Sequence, residues 1–178
     1  MKTILPKDLN PVALQTILQT AIAPRPIALA STVDKNGNEN LSPFSFFNMF
    51  STKPPILVFS PSRRVRDNTT KHTLENILEV PEVVIGIVNF KIVQQISLAS
   101  TEYEKGVNEF DKSGLTMVNA DLVKPKLIKE CPVNFECRVN EVKALGNEGG
   151  SGSLVICEVI KIHIDEHYLD AKGNLDQK

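Results

Sequence analysis

The sequence predicts a mainly β fold with helices (α+β), a small antiparallel β-barrel with helices outside it, and the last third carries the clearest signal. From Val133 to Val139, apolar residues alternate with polar ones, as in a half-buried strand. A glycine-rich connection follows, and residues 154–164 (LVICEVIKIHI) resume the strand pattern. Two long strands joined by a loop are typical of neighbouring strands in an antiparallel barrel.

Shorter strands are predicted where apolar segments are bounded by turn-forming residues. Residues 27–32 follow two prolines and lead into residues 34–38, where Asn-Gly is a strong hairpin signal, so the partner strand is expected at 39–45. Two further apolar strands are expected within residues 54–61 and 83–88.

Helical spacing of apolar residues occurs in three segments, residues 10–21, 73–80 and 90–100. Pro11 suits the first turn of the first helix. Thr73 can act as the N-cap of the second helix, Glu75 places a negative charge in its first turn, and Pro81 ends it.

Length and composition favour one globular domain, residues 1–178. Hydrophobic residues make up 42% of the 178 residues and the formal net charge is −1, which excludes a mainly disordered chain. The near-neutral charge argues against nucleic acid as the main partner, and no apolar run approaches the ~20 residues of a membrane span.

The three cysteines, Cys131, Cys137 and Cys157, are predicted to be buried, unpaired thiols. Their odd number and the lack of a secretory signal pattern predict a reducing, cytoplasmic location. Neither the cysteines nor the three histidines have the spacing of metal ligands, so no metal site is predicted.

The glycine-rich segment between the two long strands is interpreted as a mobile hairpin tip. Its glycines, Gly146, Gly149, Gly150 and Gly152, precede a strand, whereas the glycines of dinucleotide and P-loop sites follow a strand and open a helix. Glycine accommodates turn conformations without steric cost.

Two neighbouring segments carry the residues that suggest chemistry. Residues 45–51 mix aromatic rings with short polar groups, which fits either a ligand-contacting segment or a polar loop with aromatic anchors. Residues 61–72 contain four basic residues and one acidic residue and lead into a helix N-terminus, as in an anion site. A solvated charged loop is the alternative for this second segment.

Five blocks in order resemble the flavin reductase-like family, the FMN-binding split barrels that include flavoredoxins and reductase components of two-component monooxygenases. The blocks are RPIALAST from Arg25, SPFSFFNMFSTKPP from Ser42, KHTLENI from Lys71, EFDKSGLT from Glu109 and CPVNFECRVNEV from Cys131. The resemblance implies a split antiparallel β-barrel, a homodimer, and FMN held non-covalently near the subunit interface.

The resemblance also implies cofactor-binding roles for individual residues. The residues expected at the flavin ring are Ser31, Thr32, Ser45, Phe46, Phe47 and Asn48, and Ser51 is expected to bind the cofactor as well. Those from 45 to 48 are expected to form a loop. The residues expected on the phosphate side are Ser60, Arg64, Lys71 and Thr73. The chain departs from the family pattern at His72, where members often have Asp.

The function implied is an oxidoreductase that accepts hydride from NAD(P)H through FMN and passes electrons to free flavin or another acceptor. The alternative is an FMN-binding electron-transfer protein that works with a protein partner. No catalytic residue is assigned, because hydride delivery to a bound flavin needs no acid–base pair from the protein. The clustered rings of Phe44, Phe46, Phe47 and Phe50 further favour a homodimer.

Overall fold

The computed structural model describes residues 1–104 and 106–176, and this part of the chain contains nine strands and four α-helices. The strands are β1 (Ala28–Val33), β2 (Glu39–Phe44), β3 (Phe47–Thr52), β4 (Pro55–Phe59), β5 (Glu82–Ile87), β6 (Met117–Val118), β7 (Leu127–Ile128), β8 (Val133–Ala144) and β9 (Ser153–Ile164). The helices are α1 (Pro11–Ala21), α2 (His72–Glu79), α3 (Val93–Ala99) and α4 (Glu109–Ser113).

Seven strands form one antiparallel sheet, in the order β2-β1-β5-β8-β9-β4-β3. The two edge strands, β2 and β3, are consecutive in the chain and are separated only by Ser45 and Phe46. No ladder between these edges occurs in the described part of the chain, so the sheet stays open there. The predicted mainly β fold with helices is confirmed.

Apolar side chains pack on both faces of this sheet. On β1, Ala28 and Ala30 join one cluster, which includes Phe59 and is covered by α2. Leu29 points to the opposite face and joins a second cluster with Phe110 of α4. Because every residue of β1 is buried, this strand shows no alternation of apolar and polar residues in the sequence.

The long hairpin of β8 and β9 is confirmed as two paired antiparallel strands of 12 residues each. The helix predicted at residues 10–21 is also confirmed. Asn10 is its N-cap and accepts a hydrogen bond at Oδ1 from the Ala13 N–H, 2.9 Å away. Pro11 occupies the first turn, where the missing N–H has no intrahelical role.

The second helix begins at His72, one residue before the predicted start, and its N-cap is Lys71 rather than Thr73. Thr73 lies inside the helix, where its hydroxyl accepts a hydrogen bond from Asn40 Nδ2 at 2.9 Å. The assignment of Thr73 as N-cap is therefore wrong. The Thr73 hydroxyl bonds to Asn40 of β2, and it does not cap the helix N-terminus.

All three cysteines are buried and unpaired, as predicted. Burial raises the pKa of the Cys131 and Cys157 thiols to about 12 and also raises that of Cys137. These thiols therefore stay protonated and behave as small apolar core groups. No helix of the described residues is long and apolar enough to cross a membrane.

The glycine-rich connection between β8 and β9 packs against the basic segment that follows β4. Gly150 N–H donates to the Arg63 carbonyl at 3.0 Å, and Arg63 N–H donates to the Ser151 carbonyl at 2.9 Å. A Cβ on Gly149 would lie 3.0 Å from the Val65 Cα and 3.1 Å from the Arg64 carbonyl oxygen. The glycines therefore permit a close approach of two backbones, in addition to forming the predicted turn.

Gly149→Ala is expected to lower the free energy of unfolding by about 1–3 kcal/mol, because the added methyl group must displace backbone atoms. Gly146→Ala is the matched control, since a Cβ there meets only the Ser151 side chain, which can rotate away. Urea unfolding of both variants measures the difference. Equal stabilities would show that the close approach at Gly149 does not constrain the loop.

Candidate functional site

A small cleft lies at the N-terminus of α2, and we call it the cationic cleft. Its volume is about 30 Å³, enough for about two water molecules but not for a nucleotide. It is lined by Asn40, Ser42, Arg64, Lys71, His72, Thr73, Glu109 and residues 99–103. The lining carries the basic side chains of Arg64 and Lys71 and the carboxylates of Glu102 and Glu109. The first turn of a helix faces the cleft, so the place for an anionic group lies at the two basic side chains and this helix N-terminus.

Arg64 is the most constrained of the basic groups. Its guanidinium donates to the Thr70 carbonyl and, at 3.1 Å, to Thr69 Oγ1. Its Nε lies 3.3 Å from Glu102 Oε1, and only 16% of the side chain is exposed. Because these bonds close the turn before α2, the guanidinium is fixed beside the helix N-terminus.

Lys71 contributes the second positive charge of the cationic cleft. Its ammonium group makes no hydrogen bond or ion pair with the residues that the structure describes. Partial burial lowers the pKa of Lys71; the carboxylate of Glu102 opposes this effect, and the positive charge of Arg64 adds to it. An anion in the cleft would offset both the desolvation of this ammonium and the repulsion from Arg64.

The base of the cleft is polar and internally hydrogen-bonded. Asn40 donates to Thr73, and Asn76 of α2 donates to Thr32 Oγ1 at 3.3 Å. These contacts tie α2 to β1 and β2 and fix the direction of its N-terminus. Asn40 was not identified from the sequence, because nothing in its local pattern signals a partner on a helix 33 residues later.

Glu109 is a second residue that sequence reasoning missed. It is buried at the start of α4, lines the cationic cleft and accepts the Leu41 N–H at 3.1 Å through Oε2. Burial raises the pKa of its carboxyl group, against the opposing effect of this hydrogen bond. The block EFDKSGLT contains Glu109, but its spacing carries no signal for a cleft.

A second, larger cleft lies where α1 ends and β2 connects to β3, and we call it the aromatic cleft. Its volume is about 280 Å³, close to the ~300 Å³ at which small-molecule pockets begin. It is lined by Leu18, Gln19, Ile22, Pro24, Arg25, Pro26, Ser45, Phe46, Phe47 and Asn48. Four of the residues expected at the flavin ring, those from 45 to 48, therefore lie together in one cleft.

The expectation that residues 45–48 form a loop is wrong for two of them, because Phe47 and Asn48 begin β3. Asn48 Oδ1 accepts the Met49 N–H at 2.8 Å. Ser45 accepts a long hydrogen bond of 3.4 Å from Arg25 Nε, and Phe46 remains 42% exposed. Its exposed ring therefore provides a flat apolar surface beside these polar groups.

The two clefts lie near each other along the same stretch of chain. Ser42 lines the cationic cleft and Ser45 lines the aromatic cleft. These two serines are three positions apart, across the bend that joins β2 to β3. The two clefts together offer surfaces for the anionic end and the planar end of one ligand.

The other predicted site residues lie away from the linings of these two clefts. Ser31 and Thr32 are fully buried in β1, and Ser31 Oγ has no hydrogen-bond partner among the residues that the structure describes. Ser51 lies in β3 after a register shift, and Ser60 packs against Gly152, where a Cβ would come within 2.5 Å of its hydroxyl. Arg64, Lys71 and Thr73 are the predicted phosphate-side residues that the structure brings together.

One group of potential metal ligands occurs elsewhere in the described residues, formed by Asp121, Glu136 and His163. Glu136 is fully buried, and its Oε1 lies 2.6 Å from His163 Nε2 and 3.0 Å from the Asp121 N–H. Lys161 Nζ lies 2.5 Å from Asp121 Oδ2. The observed hydrogen bonds and ion pair therefore account for the cluster, and we assign no metal to it.

Comparison with known proteins identifies the family. A model of the flavin reductase-like domain matches residues 20–177. The chain belongs to this family. An uncharacterized protein of Aquifex aeolicus is 33% identical over 170 residues, which cover 96% of this chain and 84% of that protein.

Solved structures agree in fold. Nitrilotriacetate monooxygenase component B from Bacillus cereus has a TM-score of 0.91 and 26% identity, over 98% of this chain and 86% of that one. An FMN-binding protein from Thermus thermophilus has a TM-score of 0.70 and 17% identity, over 86% of this chain and 78% of that one. The predicted split β-barrel is confirmed, and the family indicates a flavin-related oxidoreductase.

Proposed function

We propose that the protein binds FMN non-covalently and acts as an NAD(P)H-dependent flavin oxidoreductase that reduces free flavin or another acceptor. The observation that carries this proposal is the pair of clefts, one cationic and one aromatic, which Ser42 and Ser45 of the same stretch of chain help to line. FMN has a phosphate at one end and a planar ring at the other. The name of the FMN-binding neighbour supports the choice of flavin.

The cationic cleft would hold the phosphate of FMN. Arg64 and Lys71 supply charge-assisted hydrogen bonds, each worth about 1.5–3 kcal/mol, and the first turn of α2 adds its backbone dipole. The hydroxyl of Thr73 keeps this turn in place through Asn40. Phosphate binding would also restore a favourable environment for the ammonium of Lys71, whose burial now lowers its pKa.

The aromatic cleft would hold the flavin ring against Phe46 and Phe47, with Ser45 and Asn48 as polar contacts. When bound, FMN supplies the redox chemistry, taking electrons from NAD(P)H and passing them to the acceptor. The side chains of the cleft orient the ring and exclude water. Ser31, Thr32, Ser51 and Ser60 stay proposed site residues, and the burial of the first two implies that they act by supporting the strands.

We also propose a homodimer, because the apolar surface around the aromatic cleft is incompletely covered. Helix α1 has no buried residue, and an isolated helix of 11 residues is marginal in water. Nearby, edge strand β3 exposes 61% of Met49 and 69% of Phe50. A second copy over α1 and β3 would bury this surface.

We further propose a cytoplasmic location, because the three cysteines are unpaired thiols.

Lys71→Ala is expected to weaken FMN affinity by roughly ten- to hundredfold, because one charge-assisted bond to the phosphate is lost. Riboflavin, which lacks the phosphate, should bind the wild type poorly and respond little to the substitution. Lys172→Ala, at an exposed turn, is the matched control for a lost lysine. Fluorescence titrations measure all affinities, and equal FMN affinity in wild type and Lys71→Ala would contradict a phosphate contact at Lys71.

Mixing the FMN-loaded protein with NADH or NADPH in a stopped-flow spectrophotometer is expected to bleach the flavin absorbance. At least one of the two nucleotides should donate hydride and cause the bleaching. Mixing the protein with buffer alone is the control. Absence of bleaching with both would exclude the reductase and favour the electron-transfer protein that receives electrons from a protein partner.

Sedimentation equilibrium at micromolar concentration is expected to give a mass about twice the 19.7 kDa of one chain. Phe50→Glu should shift the mass toward one chain, because it places a charge on the apolar surface of β3. Phe90→Glu is the matched control, since Phe90 is 89% exposed and precedes α3. A mass near one chain for the wild type would exclude the dimer.

A further inference from the structure

A carboxylate of the protein already pairs with the cations at the mouth of the cationic cleft. Glu102 Oε1 lies 3.3 Å from Arg64 Nε, and Glu102 Oε2 lies 3.5 Å from Arg66 Nη1. The Glu102 side chain is 47% exposed, and that of Arg66 is 73% exposed. One acidic group therefore bridges two arginines at the surface of the predicted phosphate site.

Glu102 stands at the boundary between the cationic cleft and open solvent. It lines the cationic cleft and also a wider surface depression that contains Arg66, Asp67 and Thr69. The chain before it is anchored to α3, because the Ser100 and Thr101 N–H groups donate to carbonyls of that helix at 3.0 and 3.1 Å. The position of Glu102 is thus set by the end of α3, while its side chain has room to swing outward.

We propose that Glu102 competes with the ligand for Arg64, so that an anion must displace this carboxylate to bind and Glu102 lowers the affinity of the cleft for a phosphate. This proposal rests on the proposed function, in which the cleft holds the phosphate of FMN. An exposed ion pair is weak, so a stronger anion can displace the carboxylate at little cost. A phosphate ester carries a charge of about −1.5 to −2 and three acceptor oxygens, whereas a carboxylate carries one charge.

The displaced carboxylate has water available, and Arg66 keeps Asp67 as a partner at 3.1 Å. Displacement therefore leaves neither group buried and unpaired. Any anion that binds Arg64 displaces the same carboxylate, so Glu102 lowers the affinity of all such anions by a similar small factor.

The test compares the wild type with Glu102→Gln, which keeps the size of the side chain and removes its charge. FMN should bind the variant about two- to fivefold more tightly, the effect of losing one exposed competing pair. Riboflavin affinity should stay unchanged.

Glu104→Gln is the matched control, because it makes the same change in net charge in the same exposed segment without an ion pair to a described residue. It should leave FMN affinity unchanged, and thermal unfolding of all variants checks the fold. Glu102→Ala serves as a second variant and should show the same gain in affinity.

Normal FMN binding by the wild type with equal or weaker binding by Glu102→Gln would overturn the competition, since Glu102 would then be passive or would position Arg64. No saturable FMN binding by any variant would instead overturn the proposed function, and this proposal with it. The two failures are distinguished by the wild-type titration.

Discussion

The guanidinium of Arg64 joins the loop before α2 to the segment after α3, which lies 38 residues further along the chain. It donates to the Thr70 carbonyl and Thr69 hydroxyl before α2, and it pairs with Glu102 after α3. The backbone of Arg64 also closes the loop, because its N–H donates to the Thr69 carbonyl at 2.9 Å. The place where α2 begins, and with it the direction of its N-terminus and of Lys71, depends on these bonds. The loop is braced in turn by the connection between β8 and β9, whose glycines allow the backbones to approach.

The same arrangement places groups of like charge together at a cost to the protein. Burial and the neighbouring guanidinium both lower the pKa of Lys71, so the charged ammonium is less stable there than in water. Glu102 offsets part of this effect from the rim of the cleft. A bound anion would stabilise these neighbouring cations further. Groups that the fold alone stabilises incompletely are typical of binding sites.

Sequence reasoning succeeded where the physical signal is local. Alternation over residues 133–139 predicted β8, and the basic run ending at Lys71 indicated the cationic cleft. It failed where the role of a side chain depends on a residue that is distant in the sequence. Thr73 has the side chain of an N-cap, but Asn40 takes its hydroxyl, and only the tertiary structure brings the two together. For the same reason Glu102 and Glu109 carried no signal, since each reaches the cleft through packing of α3 and α4 on the sheet.

The opening of the sheet between β2 and β3 explains why the aromatic cleft and the proposed association surface coincide. Edge strands leave backbone groups and side chains uncovered, and proteins usually cover such edges. Here α1 ends beside the opening, and its Leu18 and Ile22 line the aromatic cleft together with Phe46. In the proposed homodimer, a second copy laid over α1 and β3 would also form part of the wall around the flavin ring. Ligand binding and association then stabilise each other, because each buries apolar surface that the other leaves partly exposed.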